Sequence, residues 1–117
     1  NDGSKKISGY GIHIDSSVSS STFFLFADCR VVGAASQDRR YGSTEDVVVK
    51  MFSLEKGIVF QSTSLSPLNI VFEPPDPYVE INPGAVSKGT IILQREDDAK
   101  NIRTITVDTK GVIDFEN

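Results

Sequence analysis

Tryptophan is absent from the chain, and cysteine, histidine and methionine occur once each. With Cys29 alone there can be no internal disulfide and no metal-ligand spacing of thiols, so cysteine usage fixes no redox compartment. With His13 alone, any Ser–His–Asp or Cys–His machinery would have to be built around that one imidazole. No apolar run approaches the ~18 residues of a membrane-spanning helix. Positive charge is sparse too: 12 Lys and Arg stand against 16 Asp and Glu, for a net charge of −4. The longest basic runs are the pairs Lys5-Lys6 and Arg39-Arg40, too little for a phosphate-tracking face, so nucleic acid is not an expected partner. Anionic lipid is disfavoured on the same ground. Phosphate-binding glycine loops, GxSxG and HExxH are all missing. The polar opening Asn1-Asp2-Gly3-Ser4-Lys5-Lys6 is no signal peptide. Its start at Asn rather than Met carries the expectation that something upstream was removed.

What is present suits one globular domain over residues 1–117: 38% of the residues are apolar, with seven Phe and three Tyr, enough for a core and too much for wholesale disorder. The clearest plan lies in residues 89–116. Three β-rich runs, GTIILQR, IRTITVD and VIDFE, are separated by the polar stretches EDDAKN and TKG, which predicts a three-stranded antiparallel meander. Their Thr, Ile, Val and Phe residues fit a pleated, half-buried surface. Asp108-Thr109-Lys110-Gly111 suits a tight hairpin whose Gly sits at positive φ.

Upstream, residues 1–8 read as a frayed or helix-remnant segment. Tyr10, Ile12 and Ile14 alternate with Gly11 and His13 on a first strand. Residues 22–27 (TFFLFA) form the most apolar run and predict a central strand covered on both faces, in a hairpin with the first. Val31-Val32 suggests a short strand, and residues 33–45 a loop. Residues 47–52, 57–61 and 68–72 predict further strands. Pro74, Pro75 and Pro77 cannot sit inside a sheet, so residues 73–77 should be an exposed connector. Residues 78–81 suit a short edge strand. Eight to ten short strands with turns between them, and no internal repeat, indicate a mostly β fold, an antiparallel sandwich or rolled sheets.

The residues that could carry chemistry are few. His13 lies between two isoleucines on a predicted strand, which fits a solvent-facing side chain or a hydrogen-bond partner better than a catalytic base; Asp15, two positions on, suits a turn cap. Cys29 is followed by Arg30, whose guanidinium could lower a thiol pKa, but a small residue at a strand end is the simpler reading. Asp28, Asp38, Glu45 and Asp46 bracket the long loop and are oxygen ligands of the kind Ca²⁺ takes. The residues between lack the Asp/Asn-Gly alternation of a calcium loop, and Arg39 and Arg40 compete for the carboxylates, so no metal is expected. Glu96-Asp97-Asp98 reads as exposed turn material. No catalytic, cofactor or metal site is assigned, and the chain is not expected to be an enzyme.

Three stretches in order carry a family resemblance. The first is Gly9-Tyr10-Gly11-Ile12-His13-Ile14-Asp15 followed by Phe24-Leu25-Phe26-Ala27-Asp28. The second is Phe72-Glu73-Pro74-Pro75-Asp76-Pro77. The third is Gly89-Thr90-Ile91-Ile92-Leu93 with Ile105-Thr106-Val107 and Gly111-Val112-Ile113. Together they span nearly the whole chain, which resembles the globular domain of bacterial type IV pilin-like proteins, the minor-pseudopilin and FimT-like branch. The resemblance implies a non-enzymatic structural subunit of a type IV pilus or type II secretion pseudopilus, with other pilin or pseudopilin subunits as partners. It implies inner-membrane anchoring before assembly, through an N-terminal apolar helix absent from this chain, and then a place at the cell surface or in an extracellular filament. Phe23, Phe24, Leu25 and Phe26 are the expected face for that helix. Some relatives carry an acidic loop after the Phe-Ala-Asp triplet; here Asp28 and Tyr41 remain, but Gly42 follows Tyr41 and the start reads Cys-Arg-Val-Val, which departs from a metal-binding pattern. Relatives that take up DNA use basic C-terminal residues, whereas this chain ends Asp114-Phe115-Glu116-Asn117.

Two other classes stand beside this reading. One is a cell-surface adhesin-like or carbohydrate-binding β-sandwich module, with Tyr41, Arg39 and Arg40 offering stacking and hydrogen bonds to a glycan. The other is a hydrolase, which would need His13 in a cleft.

Overall fold

A computed structural model of the chain describes residues 5–31, 41, 46–72, 79–82 and 86–116. These form two antiparallel sheets and no helix. The strands are β1 (Lys5–Ile14), β2 (Thr22–Val31), β3 (Val47–Ser53), β4 (Ile58–Thr63), β5 (Leu68–Phe72), β6 (Val79–Ile81), β7 (Lys88–Arg95), β8 (Asp98–Asp108) and β9 (Ile113–Glu116). The first sheet runs β3-β2-β1-β5-β6 and the second β4-β7-β8-β9. The expected hairpin of the first two strands is present, the run at residues 22–27 is an interior strand, and β6 is an edge strand. The closing meander is β7-β8-β9, extended by β4 on its free side.

Three sequence expectations need correction. Residues 5–8 are strand, because β2 continues past Ala27 to Val31 and pairs Lys5 with Val31, Lys6 with Arg30 and Ile7 with Cys29. The polar Asp28-Cys29-Arg30 stretch looked like a strand end, yet its backbone stays in the ladder. The β7–β8 turn is also far shorter than six residues. β8 starts at Asp98, and the surplus residues are taken up by a register shift that sets Arg95 opposite Asp98 and Gln94 opposite Ile102. Nor is the expected helix face bare: Phe26 is fully buried, and Phe23, Phe24 and Leu25 are half-buried. The proline-rich connector and Val32 lie outside the described residues.

Alternation along β1 and β2 gives the first sheet two apolar faces. On one face Ile12, Ile14 and Phe23 meet the second sheet, where the buried core gathers Ile14, Phe60, Leu68, Ile81 and Ile91. β7 begins over β5 and β6, with the Cβ position of Gly89 3.2 Å from Leu68 Cδ1 and 3.4 Å from Ile81 Cγ2. It ends beside Leu54, just past β3, where Leu93 and Leu54 line one hollow. β7 therefore crosses the strands beneath it, as in orthogonally packed sheets. The Phe23 ring meets Phe60 edge-on at 6.1 Å and stacks on Phe52 at 5.3 Å, tying β2, β3 and β4 together.

On the opposite face the Phe26 ring lies across β1 at Gly11, its direct cross-strand partner. A Cβ at Gly11 would come within 2.7 Å of that ring and 3.0 Å of the Ile70 carbonyl oxygen. Only glycine lets the ring settle there, and the fully shielded Phe26 then contributes about 1.5–3 kcal/mol of burial. Gly111 has φ +86° in the β8–β9 turn, as the sequence predicts, and its N–H donates to the Asp108 carbonyl at 2.9 Å. The Asp108 carboxylate accepts from the N–H groups of Lys110 (2.9 Å) and Val112 (3.0 Å).

Gly11→Ala should therefore destabilise the fold by about 1–3 kcal/mol through overpacking. Gly89→Ala should cost less, since its Cβ meets the terminal methyl of Leu68 at 3.2 Å instead of a ring at 2.7 Å and a backbone oxygen at 3.0 Å. Urea denaturation of the two variants measures the difference, and equal losses would contradict the close approach of Phe26 to β1.

Candidate functional site

The lone histidine sits in a polar seam on the Phe26 face of the first sheet. His13 and Asn69 are cross-strand partners on β1 and β5. His13 Nδ1 lies 2.7 Å from Asn69 Oδ1, and the same oxygen accepts the Tyr41 N–H at 3.2 Å. A backbone N–H can only donate, so the atom facing Tyr41 must be the amide oxygen; His13 Nδ1 must then carry the proton. Of the two neutral tautomers, this geometry takes the one with the proton on Nδ1 and the lone pair on Nε2.

Asn69 is 3% exposed, and its amide oxygen and both backbone polar groups are hydrogen-bonded. Its N–H donates to Asn82 Oδ1 at 2.6 Å, and its carbonyl accepts the Asn82 N–H at 3.0 Å. Asn82 Nδ2 donates to the Pro67 carbonyl at 2.8 Å. Asn82 has φ +38°, in the left-handed region that Asn tolerates better than most side chains. The seam thus runs from the end of β6 through β5 and β1 to Tyr41.

Above it lies an aromatic cluster. His13 stacks on Phe24 at 4.9 Å, and Tyr41 meets Phe24 at 4.7 Å, His13 at 5.2 Å and Phe26 at 5.5 Å. The Tyr41 ring is a cover over the Phe24–Phe26 face. Arg39 and Arg40, the other residues of the glycan reading, lie outside the described residues.

Asp15 and Tyr41 line a hollow of ≈ 290 Å³ with His13, whereas Cys29, Asp28 and Asp46 lie at the other end of the hairpin. Cys29 pairs with Ile7, six positions along β1 from His13, which places it about 20 Å away at 3.3 Å per strand residue. It cannot be the nucleophile of a Cys–His pair. Cys29 is 3% exposed, its thiol contacts the Ala27 carbonyl at 3.6 Å, and its N–H donates to Asp46 Oδ1 at 2.7 Å. That hydrogen bond brings Asp46 to the far end of β2, where Asp28 is fully buried. Asp38 and Glu45, the remaining candidate calcium ligands, lie outside the described residues, among which no group of three or more His, Cys, Asp or Glu is arranged to hold a metal ion. Glu96, Asp97 and Asp98 are exposed; Asp97 pairs with Arg95 at 3.1 Å and Asp98 accepts the Lys100 N–H at 3.1 Å.

Asp15 caps the β1–β2 turn, as its position suggests. Its carboxylate accepts from the Ser17 hydroxyl and N–H and from Ser66, while its carbonyl accepts from Val18 and Ser19. The Ser17 hydroxyl is the main reason that its pKa falls below the usual carboxylate range; slight burial opposes this, and the Ser17 N–H, Ser66 and nearby His13 assist.

The feature that sequence reasoning missed is an apolar hollow of ≈ 350 Å³ between the sheets. Its floor is Ile12, Ile70 and Val79, and its roof is Ile105, Val107 and Ile113. Alternation marks each of these as inward-facing, but only the crossing of the sheets puts them opposite one another.

Long-range ¹H–¹⁵N spectra at neutral pH should show His13 protonated at Nδ1; a tautomer with a bare Nδ1 and the proton on Nε2 alone would break the seam as described. Asn69→Ala should cost about 1–3 kcal/mol, since it leaves the part-buried Tyr41 N–H and His13 Nδ1–H without their shared acceptor. Asp15, with a depressed folded-state pKa, contributes stability above the usual carboxylate range that is lost as pH falls through that lower value. Asp15→Asn should therefore flatten the acid side of the stability profile slightly, the carboxylate being nearly open to solvent. Compared with known proteins, the chain matches no family model, no curated protein and no solved structure.

Proposed function

We propose that the chain is the head of a non-enzymatic filament subunit, a pilin or pseudopilin of a type IV pilus or type II secretion pseudopilus. The observation that carries the reading is the order and spacing of the three motif stretches, with two of them on mated elements. In the first stretch, Gly9, Gly11 and His13 are the cross-strand partners of Asp28, Phe26 and Phe24. The third stretch is the β7-β8-β9 meander, whose strands pair in sequence. The motifs thus coincide with the two hairpin systems that define the sheets.

The reading also gives a use to an otherwise unexplained surface. Tyr10 and Phe72 are direct cross-strand partners, and Ile7 shares their face, since Ile7 and Tyr10 pair with Cys29 and Ala27, two residues apart on β2. These three are 43–46% exposed. In this proposal they form the seat of the apolar stalk, in place of Phe23, Phe24, Leu25 and Phe26. Other subunits are the partners, and the finished subunit lies in a filament at the cell surface.

The gene's full reading frame and the fate of its product test this. The frame should encode an apolar run of about 20 residues ahead of this head, behind a short cleavable leader. The product should fractionate with the inner membrane when the leader peptidase is deleted. A frame without that run, or a product found only in soluble fractions, would refute the assignment.

A further inference from the structure

Each sheet ends in an edge strand that leaves apolar side chains in solvent. β3 closes the five-stranded sheet, and β9 closes the four-stranded one. Among the described residues no strand lies beyond either, and an edge strand is a template for pairing with another chain. On β3, Val47, Val48, Val49 and Met51 are 40–57% exposed; on β9, Ile113 is 55% and Phe115 76% exposed.

The two edges are complementary in charge. On β9, Ile113 and Phe115 alternate with Asp114 and Glu116, giving one apolar and one acidic face. On β3, Met51 lies opposite Phe24 and Lys50 opposite Leu25, so they point to opposite faces; Phe52, opposite Phe23, shares the Lys50 face and lies 5.1 Å under its ammonium. Set edge to edge with Met51 continuing the row of Ile113 and Phe115, Lys50 comes alongside Asp114 and Glu116 and carries its charge over the Phe52 ring. The lengths agree as well. A register shift between Leu25 and Phe26 makes Val49 an extra residue in β3, and such a bulge interrupts pairing. The regular part of the edge is residues 50–53, which matches the four residues of β9.

We infer that one copy of this chain docks on the next by pairing the edge of β9 with the edge of β3. The two surfaces differ, so the contact is head-to-tail; where its rotation does not close a ring it propagates as an open row. The inference rests on the filament reading for its setting, and the contact itself is open to test on the isolated chain.

Charge reversal tests it on the chain of residues 1–117, by sedimentation velocity at low ionic strength over rising concentration. The wild-type chain should show a concentration-dependent series of oligomers. Lys50→Glu alone sets like charges across the contact, as does the double variant Asp114→Lys/Glu116→Lys, and each should associate at least tenfold more weakly. An equimolar mixture of the two variants restores opposite charges at every contact and should recover association, with slowed amide exchange in β3 and β9. Circular dichroism checks that both variants are folded. A wild-type chain that stays monomeric, a mixture that fails to associate, or oligomers indifferent to both reversals would overturn the inference. The filament reading fails separately: it falls with the reading frame described above, whereas reversal variants that still build filaments in the full-length protein would sink only the β9–β3 contact.

Discussion

The structure depends on one constraint: the β1–β2 hairpin must bury apolar side chains on both of its faces. Phe26 presses through the gap that Gly11 leaves in β1, while Phe23 reaches the other way to Phe60 and Phe52. Neither face alone would make a core for a domain of this size. The second sheet covers one face, and Tyr41 lies over the Phe24–Phe26 rings on the other. Because the second sheet crosses the first, its cover is incomplete, and Tyr10 and Phe72 stay half-exposed below it, with Ile113 and Phe115 at its open edge.

The polar residues answer to this packing. Asn69 sits among apolar neighbours because it joins β6, β1 and Tyr41 through hydrogen bonds that fix its amide orientation. His13 belongs to the same seam. Its Nδ1 proton points at an amide oxygen, and Cys29 is anchored at the other end of the hairpin by Asp46. The hydrogen bonds around these residues locate strands and turns.

Much of the fold was legible in the sequence. Strict alternation at Tyr10, Ile12 and Ile14, the β-branched meander and Gly111 all spoke locally, and local rules were enough. What escaped depended on partners distant in sequence. Asp28, Cys29 and Arg30 look like a strand end until Lys5, Lys6 and Ile7 are seen to pair beside them. Asp98 looks like turn material until a register shift draws it into β8. The seam was half visible: His13 could be read as a hydrogen-bond partner, but Asn69, in a predicted strand, gave no sign of the role it shares with Asn82. The hollow between the sheets follows from their crossing, which no local pattern encodes.

In the proposed filament, this two-sheet head would sit on the outside with its exposed Ile7, Tyr10 and Phe72 face toward an apolar stalk. Cryo-electron microscopy of filaments sheared from cells that express the full-length protein tests this directly. The account predicts a two-sheet density on the outer surface, with the exposed Ile7, Tyr10 and Phe72 face turned toward a helical core. Filaments whose density excludes this fold, or a head with that face turned to solvent and no helix against it, would contradict the account.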